Sequence, residues 1–188
     1  TPGYEAGPGV IGIARSRDLR SWEEYGMPLL ASDGAAWERG GLYKSWLMRD
    51  GDRFLLFYNA KDDRPRGWQE QTGAAVSSDM VTWERIPGPL VRNGPEGAID
   101  DRFASDPCVL RDGDAWVMFY FGLSSDGRAR ETYATSADLA TWARSEPVLI
   151  DAGEPGSLDS AYAHQPAVIN PEGARKSVTS GQMVNLGG

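Results

Sequence analysis

The stretch "SDPCVLRDGDAWVMFYFG" (residues 105–122) decides the fold, because much of it occurs twice in the chain. The earlier copy, "KSWLMRDGDRFLLFYNA" (44–60), carries at 49–52 the same Arg-Asp-Gly-Asp segment that the later copy has at 111–114. Asp-Gly between two apolar runs is a strong signal for a two-residue hairpin, whose turn positions need positive φ. We therefore predict antiparallel strands at about 43–49 and 53–59, and again at about 107–111 and 115–121.

A second block also recurs and defines the length of the repeat. "SRDLRSW" (16–22), "SSDMVTW" (77–83) and "SADLATW" (136–142) share the pattern Ser-x-Asp-(Leu/Met)-x-(Ser/Thr)-Trp. The Ser and Asp side chains can bond nearby backbone and shape a turn. A strand precedes each turn and a shorter one starts at each Trp. Two independent blocks with one period indicate a repeat architecture with units of about sixty residues.

Each repeat is expected to hold four antiparallel strands. The runs "FLLFY" and "WVMFYF" are apolar throughout, which is typical of strands covered on both faces. Four-stranded sheets stacked face to face are the blades of a β-propeller. The alternative, a two-sheet sandwich, fits regular units with matching turns poorly. The fold class is therefore predicted to be all-β and of the propeller type.

The repeat divides the chain into blades. We predict the end of a first blade with a connector, two full blades, the first strand of a further blade, "AHQPAVI" (163–169), and an irregular tail, at residues 1–40, 41–95, 96–155, 156–170 and 171–188. Propellers usually have about four to eight blades. Two full blades cannot close such a ring, so the chain is expected to be a fragment, and its exposed blade edges are expected to favour self-association.

Composition narrows the choice of partners. The formal net charge of −8 argues against nucleic acid, since phosphate binding needs a basic face, and it also disfavours polyanionic substrates, leaving neutral sugars open. Cys108 is the only cysteine and His164 the only histidine, which excludes an internal disulfide and a metal site built from either residue type. No apolar run approaches the roughly 18 residues that span a bilayer. The first residues lack a starting Met and a signal-like apolar segment, so localisation stays open.

The repeated motifs resemble those of a known group of enzymes. "SDPCVLRDGDAWVMFYFG", "KSWLMRDGDRFLLFYNA" and "AHQPAVI", interleaved with the Ser-x-Asp turns, resemble the five-bladed β-propeller glycosidases of glycoside hydrolase families 43 and 32, over about residues 10–169. The Ser-Asp-Pro and Ala-His-Gln-Pro motifs are similar to a branch in which a histidine serves as the acid, as in neoagarooligosaccharide hydrolases. The resemblance implies a five-bladed propeller that hydrolyses glycosidic bonds in a carbohydrate.

The resemblance also implies where a site would lie. In such propellers the first strand of each blade lines a central channel, with catalytic groups near its start. The separation of the two motif prolines, at positions 107 and 166, equals that of the repeat tryptophans at 83 and 142. This register places Lys44, Asp106 and Gln165 at equivalent positions, with His164 directly before Gln165. Proline is tolerated here because the start of the innermost strand is an edge.

Roles follow for two of these residues. Asp106 matches a carboxylate that orients the acid and raises its pKa in the resembling propellers. His164 stands where the family generally has Glu, a departure, although its neutral-range pKa makes histidine a workable acid. The base would be an Asp on a strand preceding residue 1, acting with inversion on a bound water. The structural alternatives are a turn-capping Asp106 and a packing His164.

Five further candidates would contact substrate: Arg102, Lys44, Asp159, Gln165 and Trp37. Arg102 could bind a sugar hydroxyl or carboxylate, or equally pair with an Asp on the surface, and Asp159 could be a solvated loop charge. Trp37, like Trp68, lies outside the repeat, where a sugar-stacking role is easier to envisage than for the repeated tryptophans. We expect no cofactor, while a structural calcium ion in the channel stays open. The function predicted is hydrolysis of a neutral oligo- or polysaccharide; the alternatives are a carbohydrate-binding propeller and a structural interaction propeller.

Overall fold

The computed structural model describes residues 9–169, 176–179 and 182–185. The strands in this part of the chain are β1 (Ile11–Arg15), β2 (Glu23–Leu29), β3 (Gly41–Asp50), β4 (Arg53–Lys61), β5 (Glu70–Ser77), β6 (Glu84–Arg85), β7 (Phe103–Asp112), β8 (Ala115–Leu123), β9 (Ala129–Ser136), β10 (Ala143–Arg144), β11 (Ala167–Ile169), β12 (Lys176–Thr179) and β13 (Gln182–Asn185). A single 3₁₀ turn, Ala31–Asp33, is the one helical element among the described residues. None of their helical segments has the length and apolar character required to cross a membrane.

The strands form the blades that the repeat predicts. β3 to β6 make one antiparallel four-stranded meander and β7 to β10 make a second. A parallel bridge between Glu70 and Phe103 joins the two sheets, and a parallel bridge between Ala129 and Tyr162 repeats this contact at the end of the second sheet. β1 and β2 pair as the end of a preceding blade. The all-β, partial-propeller prediction is confirmed.

The hairpins differ in one detail from the prediction. Asp50 pairs with Arg53 in the ladder, so the two loop residues are Gly51 and Asp52, one position later than the Asp-Gly pair. Gly51 has a φ of 60°, whereas Asp52 is not in the positive-φ region. Positive φ at only the first loop position is the pattern of a type II′ turn, which also matches strand twist.

The Ser-x-Asp turns have one structure wherever they occur. The Ser77 hydroxyl accepts hydrogen bonds from the backbone N–H groups of Asp79 (3.2 Å) and Met80 (2.8 Å). The Asp79 carboxylate accepts from the two N–H groups that follow Met80, both at 2.8 Å. Met80 has a positive φ of 61°, and Leu19 and Leu139 at equivalent positions have 59° and 66°. The motif therefore holds a left-handed residue that side-chain bonds stabilise.

Tryptophans of this motif pack between blades. The Trp142 ring meets Phe57 of the preceding blade edge-on, with centroids 6.4 Å apart. Phe57 and Trp142 pack in a hydrophobic cluster with Val109 and Met118, and this cluster contains side chains from both full blades. Trp83 packs similarly against the cluster between the first and second blades, whereas the tryptophan of the first turn, at position 22, is 60% exposed. The packing role that periodicity predicts is confirmed for Trp83 and Trp142.

The C-terminal segment corrects the sequence-based interpretation. An irregular tail was expected over 171–188, but β12 and β13 extend β11 into an antiparallel three-stranded sheet. The sequence at 180–181 is Ser-Gly, a dipeptide that is typical of turns. The other residues of the expected tail lie outside the described ones. β11 itself begins only at Ala167, so most of the "AHQPAVI" segment precedes the strand.

A polar triad of a buried tyrosine, a buried carboxylate and a more exposed arginine recurs at the blade interfaces. The Tyr120 hydroxyl donates to Asp100 Oδ2 (3.0 Å), and Arg144 Nη1 lies 3.1 Å from the same oxygen. In the corresponding set the Tyr58 hydroxyl donates to Glu38 Oε2 (3.0 Å), and Arg85 Nε lies 3.0 Å from Glu38 Oε1. Burial is the main cause that raises the pKa of both tyrosines far above the usual range, with the carboxylates adding to it. Both tyrosines therefore act as hydrogen-bond donors.

We predict that Tyr120→Phe lowers the free energy of unfolding by about 1–3 kcal/mol, because it removes one donor from a buried carboxylate. Tyr58→Phe should cost a similar amount. Tyr162→Phe, at a tyrosine that is 56% exposed, is the control and should change stability by less than about 0.5 kcal/mol. Urea unfolding measures all three, and equal stability of Tyr120→Phe and the wild type would show that the triad contributes nothing.

Candidate active site

One backbone feature recurs at the inner end of the blades. Lys44, Asp106 and Gln165 have positive φ values of 45°, 57° and 66°. In β3 the pairing register shifts between Tyr43 and Trp46, and the equivalent shift occurs in β7, so the left-handed residues of these two strands lie in bulges. A bulge bends its strand and redirects a side chain, and left-handed non-glycine residues concentrate at functional sites. The predicted equivalence of these three positions is therefore visible in the backbone.

Asp106 is held from two sides by the preceding blade. Its Oδ2 lies 2.6 Å from Lys44 Nζ, and its Oδ1 accepts a 2.6 Å hydrogen bond from Asn59 Nδ2. The side-chain Oδ1 of Asn59 in turn accepts a hydrogen bond from the Asp106 backbone N–H at 2.5 Å. Asp106 is only 7% exposed, whereas 41% of the Lys44 side chain is accessible. The carboxylate is thus fixed in position, with the ammonium group between it and solvent.

A pocket of about 710 Å³ opens beside this pair. Of the predicted residues it brings together Lys44, Arg102, His164 and Gln165. The rest of its wall consists of aromatic residues, one aliphatic residue and one acid: Tyr43, Trp68, Phe103, Phe121, Leu123, Tyr162 and Glu70. Aromatic faces beside a few convergent polar groups are typical of a ligand site.

Glu70 is the carboxyl group in the pocket wall. Its two oxygens accept hydrogen bonds from Trp68 Nε1 (3.1 Å) and Ser105 Oγ (3.0 Å), and it is 3% exposed. Burial raises the pKa of Glu70, and the negative charge of Asp106 adds to this, while hydrogen bonds from Tyr43, Trp68 and Ser105 act against it. A buried carboxyl group with a raised pKa in the wall of a pocket is a feature of many catalytic sites.

His164 contributes the only imidazole of the chain to this pocket. Its ring centroid lies 5.6 Å from that of Phe121 and 6.0 Å from that of Tyr162. Its Nδ1 is buried and has no hydrogen-bond partner among the described residues. A ring held between aromatic residues is positioned by packing.

Two predicted substrate contacts lie elsewhere. Asp159 does not line this pocket, and its Oδ1 accepts a 2.7 Å hydrogen bond from Ser157 in a loop. Trp37 packs against the core cluster between the first and second blades. Its indole lies so near Gly73 that a Cβ at that glycine would stand 2.7 Å from Trp37 Cη2. This position favours a packing role for Trp37 over the predicted sugar stacking, because the indole lies against the sheet of the following blade.

Glu131 is a third carboxyl group, deeper than the other two. It is 2% exposed, and neither of its oxygens has a hydrogen-bond partner among residues 9–169, 176–179 and 182–185. Burial raises its pKa to about 8, and the negative charge of Asp106 adds to the shift. The group is therefore mainly protonated at neutral pH. Within the described part of the chain, no three His, Cys, Asp or Glu side chains are grouped so as to hold a metal ion.

The residues that sequence reasoning missed are departures from the repeat. Asn59 occupies the place of Phe121, Glu70 that of Ala129, and Glu131 that of Thr72. A residue whose chemical type differs between the two copies of a strand, and above all an acid in only one copy, is the signal that could have found them. Comparing whole strands between copies, rather than motifs alone, would have exposed all three.

The fold and the pocket define a β-propeller of the glycosidase type. Residues 2–157 match the family described as "Glycosyl hydrolases family 32 N-terminal domain". This chain therefore belongs to that family.

Two curated proteins are similar to this chain. An uncharacterized protein of Mycobacterium tuberculosis, MT1551, is 30% identical over 92% of this chain and 56% of its own length. A probable sucrose-6-phosphate hydrolase of Psychromonas ingrahamii is 28% identical over 68% of this chain and 23% of its own. The chain therefore spans about half or less of the curated relatives it matches.

Solved structures share the fold. One described as "Glycoside hydrolase" superposes with a TM-score of 0.73 and 30% identity, over 90% of this chain and 52% of that one. The Bombyx mori GH32 beta-fructofuranosidase BmSUC1 gives a TM-score of 0.65 at 22% identity, over 89% and 34% of the two chains, which shows the fold alone.

The buried Glu131 generates a prediction about pH. The carboxyl group keeps its proton in the folded state up to a pKa of about 8, whereas in the unfolded chain it loses it near 4.5. The folded state then binds more protons between these values, so this group's contribution to the free energy of unfolding falls as pH rises from about 4.5 to 8. Glu70, whose pKa is also raised, acts in the same direction.

We predict that Glu131→Gln is more stable than the wild type at pH 8 by a few kcal/mol, since each unit of pKa shift corresponds to about 1.4 kcal/mol. The difference should shrink towards pH 5. Urea unfolding across this range measures it, with Glu146→Gln, at an exposed surface residue, as the matched control. The same stability difference at both pH values would contradict a proton held on Glu131.

Proposed function

We propose that this pocket belongs to a glycoside hydrolase, and that the chain supplies part of its catalytic machinery. The observation that carries the proposal is the meeting of His164 and the carboxyl group of Glu70 in one pocket, with Asp106 fixed behind Lys44. Glycoside cleavage requires an acid for the leaving oxygen and a second group that acts on the anomeric carbon or on water. Family membership supports the same chemistry.

In the proposed reaction His164 is the general acid. The imidazolium donates its proton to the glycosidic oxygen as the bond from that oxygen to the anomeric carbon breaks. An imidazole is suited to this role near neutral pH. Asp106 acts as a positioning residue: its carboxylate, held by Lys44 and Asn59, fixes the Lys44 ammonium group at the wall of the pocket that also holds His164.

Water completes the reaction in this proposal. Its oxygen forms the new bond to the anomeric carbon from the opposite face of the sugar, and its proton passes to a carboxylate, for which Glu70 is the candidate that lines the pocket. A base with a raised pKa accepts a proton more readily than an ordinary carboxylate. Direct attack by water inverts the anomeric configuration.

An open pocket disfavours the structural interaction propeller, in which side chains would fill the channel. Some 710 Å³ remain free between the aromatic walls. In the carbohydrate-binding alternative the same pocket walls bind a sugar, but no group donates a proton to it. Activity measurements distinguish this alternative from an enzyme.

We predict that His164→Ala lowers kcat/KM by about 10²–10⁴-fold on glycosides with alkyl leaving groups, and much less on dinitrophenyl glycosides, whose leaving group needs no proton. Asp106→Asn and Glu70→Gln should also lose activity, with the loss for Asp106→Asn accompanied by a shift in the pH profile. Asp52→Asn, in an exposed hairpin loop, is the control and should retain wild-type activity.

Equal losses of His164→Ala on both substrate types would exclude the acid role. If oligosaccharides bind to the chain and none of them is cleaved, the binding-module alternative holds.

The stereochemistry of the product gives an independent prediction. The anomer formed first should have the configuration opposite to that of the substrate, as followed by proton NMR during the first minutes of hydrolysis. Retention would replace the attacking water with a carboxylate nucleophile and would assign Glu70 a covalent role.

A further inference from the structure

Arg102 lines the pocket without a protein partner for its charge. Its guanidinium makes no hydrogen bond or ion pair with any other residue that the structure describes, and its carbon atom lies 5.2 Å from the Phe103 ring centroid. The residue is half-buried. A guanidinium in a pocket wall that pairs with no acidic side chain is available to an anionic ligand.

The neighbouring aspartates are all occupied by other groups. Asp100 binds Tyr120 and Arg144, and Asp106 binds Lys44 and Asn59. The Asp101 oxygens accept from the backbone N–H groups of residues 97 and 125 and from the hydroxyl of residue 125, at 2.7 to 3.0 Å. The sequence alternative, in which Arg102 pairs with an adjacent Asp, therefore fails for each of them.

A second positive group lines the same pocket. Lys44 exposes much of its side chain, and its Nζ lies 5.9 Å from the Phe121 centroid. Glu70 is the one acidic residue in the pocket wall, and Asp106 lies behind Lys44 rather than in the wall. The wall therefore presents two cationic side chains and one acid, although the chain carries a formal charge of −8.

From these observations we infer that the pocket binds an anionic sugar unit, with Arg102 contacting its carboxylate or phosphate group. The inference rests on the proposed function, since it concerns the substrate of the same site. Guanidinium and these anions form two parallel hydrogen bonds, and the aromatic residues beside Arg102 offer faces for the sugar ring. Such a unit is a hexuronic acid or a sugar phosphate ester, in contrast to the neutral sugar predicted from net charge.

Direct binding tests the inference without requiring turnover. Isothermal titration of the whole chain compares glucuronate, galacturonate and glucose 6-phosphate with glucose and galactose, and includes acetate and inorganic phosphate to measure the anion alone. We expect at least one charged sugar to bind more tightly than its neutral counterpart and than the free anion. Its affinity should fall as salt rises, because the contact is electrostatic.

Variants of Arg102 identify the contact. Arg102→Gln should weaken binding of the charged sugar by about 10–100-fold, as expected for loss of charge-assisted hydrogen bonds, and should leave neutral sugars unchanged. Arg102→Lys should recover only part of the affinity, since an ammonium cannot form the paired bonds. Arg17→Gln, an exposed residue in the first Ser-x-Asp turn, changes net charge equally and should have no effect.

Four results would overturn the inference: no binding of any charged sugar, equal affinity for charged and neutral sugars, equal affinity for the free anion, or unchanged binding by Arg102→Gln. Which charged sugar binds distinguishes a carboxylate from a phosphate. If a charged sugar binds through Arg102 but no glycoside is cleaved, this inference stands and the hydrolase proposal fails. If the chain instead cleaves neutral glycosides and binds no charged sugar, the hydrolase proposal stands and this inference fails.

Discussion

A left-handed residue in the first strand of successive blades is the constraint on which the pocket depends. For an L-residue this conformation costs about 1–2 kcal/mol, yet Lys44, Asp106 and Gln165 all adopt it. At Asp106 the cost is offset locally, because Asn59 binds both its backbone N–H and its carboxylate. The strain is thus coupled to the site: the contacts that hold the unusual backbone are the same contacts that aim the carboxylate.

These contacts also join the blades. Lys44 and Asn59 belong to one blade and Asp106 to the next, so the geometry of the site depends on how neighbouring sheets are placed. The Tyr–carboxylate–Arg triads and the interblade apolar clusters fix that placement on the outer side of the same interface. A propeller can therefore keep a precise site at a point where separate sheets meet, because each interface is both packed and hydrogen-bonded.

The repeat made most of the fold predictable, since both motifs determine backbone structure locally. The Ser-x-Asp turns and the glycine hairpins act through bonds within a few residues, and a copied sequence therefore gives a copied structure. The positions of candidate site residues were predictable only where they share the repeat register, as at Asp106 and His164. Glu70, Asn59 and Glu131 were missed because their roles come from partners far away in sequence or from burial without a partner, neither of which a local motif encodes.

The contrast between net charge and pocket charge explains why composition and the pocket lead to different expectations about the substrate. A formal charge of −8 describes the whole surface, and solvent screens exposed charges beyond about 8–10 Å. Inside the pocket only nearby groups act, and the acids next to Arg102 in sequence are directed into other bonds. An acidic protein can in this way present a positive site, because hydrogen bonding within the fold assigns a partner to each of these neighbouring carboxylates and leaves one guanidinium for the ligand.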